Sequence, residues 1–156
     1  MTTTPDTTTA DRNLDAACTA VAAEIARSDS KASLLLAFTG AVLAGLATAA
    51  DKDLPPLTKA VGAAAALVLG AAAVLLLLVV RPDLGRGGRT VSEGFPRWAA
   101  LDEDALRTAM ATDTRALRVK SLSALAVSKY RRLALAVNII LTALGLLLTS
   151  ALTALA

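Results

Sequence analysis

The chain has 156 residues, of which 55% are hydrophobic and 3% aromatic, and its mean hydropathy is +0.60. That is too apolar for an ordinary soluble domain, and the length admits one domain or a few membrane spans with little attached. Histidine is absent, Cys18 is the single cysteine and the net charge is +3; these remove histidine-based catalysis, Cys/His zinc sites and intrachain disulfides, and give no charge argument for nucleic acid.

Residues 1–10 (MTTTPDTTTA) are threonine-rich low complexity with too little apolar surface to bury, and read as a disordered tail. From Asp11 the pattern changes. Leu14, Cys18, Val21, Ile25, Ser28, Ala32 and Leu35 recur at alternating spacings of four and three. This heptad-like seam runs without proline or glycine into the first apolar stretch, so a cytoplasmic helix over 11–31 is expected to continue into the bilayer. Asp11, Asp15 and Asp29 share another face of that helix. Cys18, on the seam, reads as a small core residue.

Three stretches, 32–50, 60–80 and 133–156, contain 19, 21 and 24 residues without a charged side chain. A helix needs roughly 20 apolar residues to cross a ~30 Å hydrocarbon core, so each is expected to be a transmembrane helix. Ala47-Thr48-Ala49 has the form of a signal-peptidase site, but 31 residues with five acids and helical periodicity precede the apolar run, unlike a short basic leader. Residues 51–59 (DKDLPPLTK) form the turn between the first two spans. Residues 81–132 hold nine Arg, two Lys and six acids, a net charge of +5. The positive-inside rule then places the N-terminus and this long loop in the cytoplasm, and the Pro55-Pro56 turn and Ala156 outside.

The loop opens with RPDLGRGGRT. Pro82 stops the second span, and Gly85, Gly87 and Gly88 deny regular structure. Gly-x-Gly-Gly with two arginines has some likeness to a phosphate cradle, yet no strand precedes it and no P-loop lysine follows; a flexible linker beside basic lipid anchors is the better reading. Phe95 and Trp98 either dock the loop on the membrane interface or cap the helical core. Asp102 is expected to cap a helix starting at Glu103. From there to the last span the chain reads as one helix, or as two with a break near Thr112-Asp113-Thr114. Arg115, Arg118, Lys129 and Arg132 lie near one face. Either that face pairs with the acidic face of the N-terminal helix, at ~0–1 kcal/mol per exposed pair, or it receives a phosphate-bearing ligand or anionic lipid headgroups.

Within the spans, Ala41 and Gly45, then Gly62, Ala66 and Gly70, are small residues every four positions, a pattern that favours helix association. Asn138, Thr142, Gly145, Thr149 and Thr153 fall on one stripe of the third span, for helix–helix hydrogen bonding or for a polar path between protomers. There is no G-x-S-x-G and no carboxylate pair inside a span, and Asp102 and Asp104 read as capping, so an enzyme is not expected.

Arg27-Ser28-Asp29-Ser30-Lys31-Ala32-Ser33 precedes the first span directly, and Ser128-Lys129-Tyr130-Arg131-Arg132-Leu133 precedes the third. This R-x-D-x-K-A-S and K-Y-x-x-L pair, at one membrane boundary, resembles the Pycsar transmembrane effector family of bacterial antiphage defence over about residues 12–150. The order of helix, two spans, cytoplasmic helical segment and last span is similar as well. The resemblance implies a companion pyrimidine cyclase that makes cyclic CMP or cyclic UMP on infection, and an effector that responds by impairing the inner membrane. No cyclic-nucleotide-binding β-barrel is recognisable, so a nucleotide has to meet the cytoplasmic helices. Arg115, Arg118 and Lys120, with Trp98 upstream, are the candidate ligand-binding residues. Arg27, Asp29, Lys31, Lys129, Tyr130 and Arg132 form the membrane-boundary motif, in which the acid Asp29 is the member that plain anchoring does not explain. The expectation is an all-α protein with three transmembrane helices and a cytoplasmic helical bundle. It is expected to associate with itself as a homo-oligomer and to oligomerise in response to the nucleotide. A ligand-independent membrane scaffold or anchor subunit is the alternative.

Overall fold

A computed structural model describes residues 7–50, 52–81 and 95–155. It holds five helices, α1 (Thr7–Ala50), α2 (Pro56–Val80), α3 (Phe95–Trp98), α4 (Glu103–Ala111) and α5 (Arg115–Leu155), with no strand among the described residues. Helices α1, α2 and α5 are long and apolar enough to cross a membrane, so the chain is an all-α membrane protein. The first six residues of the threonine-rich tail, the glycine linker with Pro82 and Arg86, and the Phe95 side chain lie outside the described residues.

Element boundaries differ from expectation in instructive ways. Helix α1 starts at Thr7 rather than Asp11; the Arg12 Nε donates to the Thr8 carbonyl at 3.2 Å and ties down this extra turn. Helix α2 starts at Pro56, inside the expected turn, because a proline at the first helical position gives up only an N–H that has no partner there. Between α4 and α5 the two-helix alternative is the one found. Thr112 is extended (φ −92°, ψ 130°), and the Asp113 carboxylate accepts the Arg115 N–H at 3.0 Å. Asp102 caps α4 as expected, its Oδ1 accepting the Ala105 N–H at 2.8 Å.

The chain divides into two compact units, Met1–Ile25 with Pro82–Ala126, and Ala26–Arg81 with Val127–Ala156. The second unit contains every buried apolar side chain among the described residues. On α2 these are Ala65, Leu69, Ala72, Leu76 and Val79; on α5 they are Leu133, Ala136, Ile140 and Ala143; α1 supplies Ala32. Spacings of three and four put each set on one seam, and bulky and small residues alternate along it. That alternation matters in lipid, where burial gains nothing from leaving water and helices hold together by close packing and polar contacts. In this unit α1 and α5 meet at the Lys129–Asp29 pair. Helix α2 runs back against α5: Ser150 Oγ donates to the Thr58 carbonyl at 3.2 Å and Arg132 Nη1 to the Leu78 carbonyl at 3.4 Å.

The first unit has no fully buried apolar residue among those described. Its inner positions are the half-buried Leu14, Cys18, Val21 and Ile25 of α1 and Val119, Leu122 and Ala126 of α5. None of the residues of α4 is buried. Ordering here leans on polar contacts, the strongest of which surround Arg115.

Candidate functional site

Two charged clusters emerge, one in each unit, and both are built by the same repeat. Along α5, positions 115, 119, 122, 126, 129, 133, 136, 140, 143, 147 and 150 follow spacings of three and four and are all buried or half-buried. This is a heptad seam, and it places two cations, Arg115 and Lys129, two heptads apart on the packed side. The corresponding acids on α1, Asp15 and Asp29, are also fourteen residues apart. Each cation meets the acid one hundred positions earlier: Arg115 meets Asp15 at 3.2 Å and Lys129 meets Asp29 at 2.6 Å.

In the first unit Arg115 is saturated. Its Nη2 also lies 2.6 Å from Asp11 Oδ1 and 2.9 Å from Asp113 Oδ2, and Nη1 reaches the Asp11 carbonyl at 3.3 Å. The Cys18 thiol donates to the Arg115 carbonyl at 3.8 Å, consistent with a core role for that residue. The guanidinium and backbone N–H of Arg115 hydrogen-bond Asp113 and hold its carboxyl down at about 2. The same carboxylates push the Arg115 pKa upward, keeping it a permanent cation. Of the two readings of the basic face, pairing with the acidic face of α1 therefore describes Arg115.

The other candidate ligand residues lie elsewhere. Arg118 and Lys120 are exposed, and a two-residue step turns them to different sides of α5. Trp98 is half-buried at the end of α3, where its carbonyl accepts the Leu101 N–H at 3.3 Å.

In the second unit the boundary motif is partly drawn together. Lys129 is only 12% exposed and its ammonium sits on Asp29, itself 34% exposed. Arg132 is exposed and reaches across to α2. Tyr130 is half-buried, while Arg27 and Lys31 are exposed. Next to Asp29, Ser28 is fully buried and its hydroxyl has no hydrogen-bond partner. An isolated ammonium at the edge of hydrocarbon is costly, and the neighbouring carboxylate offsets that cost.

Sequence reasoning missed three features. The α5 seam, legible as a heptad from 115 to 150, was masked because two of its positions are cationic. Asp113 as a second clamp on Arg115 follows from Asx-type bonding across a helix break. The Ser150–Thr58 contact joins two residues that no periodicity relates. Among the described residues no group of His, Cys, Asp and Glu could hold a metal ion.

No curated protein and no solved structure matches the chain. A family model for the Pycsar effector protein domain matches residues 13–156, a span that takes in both cation-bearing segments of α5 and the boundary motif. With three helices fit to cross a membrane, the chain belongs to the Pycsar effector family as a membrane effector of antiphage defence.

Proposed function

We propose that this effector lies in the bacterial inner membrane with its N-terminus and residues 81–132 in the cytoplasm and its C-terminus outside. It responds to cyclic CMP or cyclic UMP from a companion pyrimidine cyclase, associates with itself and impairs membrane integrity without catalysing a reaction. The observation that carries this reading is the Pycsar effector domain on a chain whose buried apolar residues, among those described, all lie in helices fit to cross a membrane.

Charge supports the orientation, because the loop of net charge +5 and the boundary motif sit at one end of the spans. A cyclic mononucleotide carries a single negative charge and an aromatic base. Arg118 is the cation best placed to receive it, since Arg115 already holds three carboxylates. Arg115 acts by fixing the start of α5. Lys120 and Trp98 are retained as contacts for the phosphate or the base.

That same saturation of Arg115 favours the second reading, a ligand-independent scaffold, and one experiment separates them. Cells co-expressing the effector and an active pyrimidine cyclase are expected to take up a membrane-impermeant dye, and cells with an inactive cyclase are not. Arg118→Ala is expected to abolish the response with insertion unchanged. No dye uptake with either the active or the inactive cyclase would favour the scaffold reading instead.

A further inference from the structure

We infer that the exposed face of α5 centred on Asn138 is the contact through which two copies of this chain pair in the membrane. This inference supplies the interface for the self-association proposed above and rests on that part of the reading. Its carrier is the carboxamide of Asn138. The residue is exposed, six positions beyond Arg132, and so lies ~9 Å further along the helix than the last boundary charge. Among the described residues no hydrogen bond reaches its side chain, although two N–H donors and a carbonyl oxygen are present. Lipid offers none of these a partner.

The rest of the face is patterned for protein. Leu135, Asn138, Thr142, Gly145 and Thr149 are all exposed and follow spacings of three and four, a second heptad seam on the side of α5 away from Ala136, Ile140 and Ala143. What marks this line is its content, a carboxamide, two threonines and a glycine, where lipid calls only for apolar side chains. Helix α2 provides the contrast: between 60 and 80 its exposed positions are Ala, Leu and Val without exception. Thr142 and Thr149 donate to the carbonyls of Asn138 and Leu146, at 3.0 and 2.8 Å, so they present methyl groups and leave Asn138 as the uncommitted donor. A Cβ added at Gly145 would meet nothing within 4 Å, so internal packing makes no use of that glycine's small size. A second backbone can approach there.

The occupant follows from symmetry. All copies insert in the same direction, so in a parallel pair Asn138 meets Asn138 at the same depth. A carboxamide both donates and accepts, and two of them related by a two-fold axis satisfy each other.

The test uses the full chain in membranes, with Cys18→Ala to remove the native thiol. Thr149→Cys on this face is expected to form disulfide-linked dimers under copper-phenanthroline oxidation, and Leu67→Cys on the lipid-facing side of α2 is not. Adding Asn138→Leu to the Thr149→Cys chain should lower dimer yield ~3- to 20-fold, the range for one interhelical hydrogen bond. Leucine favours insertion, so this variant stays in the membrane. Asn138→Gln keeps the carboxamide and should retain the dimer. Equal cross-linking from positions 67 and 149, no cross-linking from position 149, or dimer yield indifferent to Asn138→Leu would overturn the proposal. Loss of the dimer with the dye response intact would uphold the contact and remove self-association from the route to membrane damage.

Discussion

Asp29 and Asp15 make the same kind of contact two heptads apart, yet their replacement should have different consequences. Lys129 is 12% exposed and rests on Asp29, whereas Arg115 keeps Asp11 and Asp113 when Asp15 is lost. Breaking a fully buried pair costs ~3–5 kcal/mol; with Asp29 one-third exposed, Asp29→Asn should cost about 1–3 kcal/mol, and Asp15→Asn less than about 0.5 kcal/mol. Thermal unfolding in detergent measures both, and Asp29→Asn combined with Lys129→Met should recover most of the loss. Equal melting temperatures for the two single variants would remove the special role of the boundary pair. Ser28 gives the opposite sign. Its hydroxyl is buried without a partner, so Ser28→Ala should leave stability unchanged or raise it by up to about 1 kcal/mol; a clear loss in the same melt would show that the hydroxyl is bonded in the membrane-embedded protein. Asp113 supplies a pH dependence. Its carboxyl is depressed from 3.8 to about 2 in the folded chain, so its contribution is complete above pH ~4 and lost as pH falls through ~2. A carboxyl chemical-shift titration with a midpoint near 3.8 would show that Arg115 does not hold it.

At the scale of whole helices, α1 and α5 contain 44 and 41 residues, ~66 and ~62 Å at 1.5 Å per residue, about twice the hydrocarbon thickness. One seam serves each helix over both halves, and only the chemistry of its occupants changes. On α1 the seam read from Leu14 to Leu35 continues through Thr39, Val42, Leu46 and Ala49, all buried or half-buried. This part of the fold was legible because spacing fixes a helix face regardless of solvent. Ends were less legible: proline at the start of α2 is compatible with turn and helix alike, and the α4–α5 break depends on Asp113 capturing the next helix. Asp29 was legible as an acid among cations, but its partner depended on a register between α1 and α5 that spacing alone does not supply. Arg115 was legible as a cation, while its commitment to three carboxylates was not. The alternation of small and large residues makes a prediction at this scale. Ala136→Leu intrudes on a packed seam and should cost ~1–3 kcal/mol, whereas Ala134→Leu, on an exposed position of the same turn, should be near neutral. Equal effects would mean that both positions face lipid.

For the molecule as a whole, everything proposed about ligand access depends on which side of the membrane the charged ends of α1 and α5 occupy. A nucleotide made in the cytoplasm reaches Arg118 only if residues 81–132 are there. The proposed direction rests on the chain's own charges: eleven of the sixteen Lys and Arg lie in that loop and three more precede the first span, leaving Lys52 and Lys59 for the short turn. Cations resist translocation and acids weigh little, so the turn is the segment expected to cross. Single cysteines in a Cys18→Ala background test this directly, with an impermeant thiol reagent applied to intact cells and then to inverted vesicles. Leu54→Cys, in the turn, should label from outside, and Ala105→Cys, on α4, only from the cytoplasmic face. Both positions lie outside the apolar stretches and neither is fully buried, so lack of labelling from one side reports topology rather than access. Reversal of the two patterns would place the cation-rich loop outside and exclude a cytoplasmic nucleotide as its ligand.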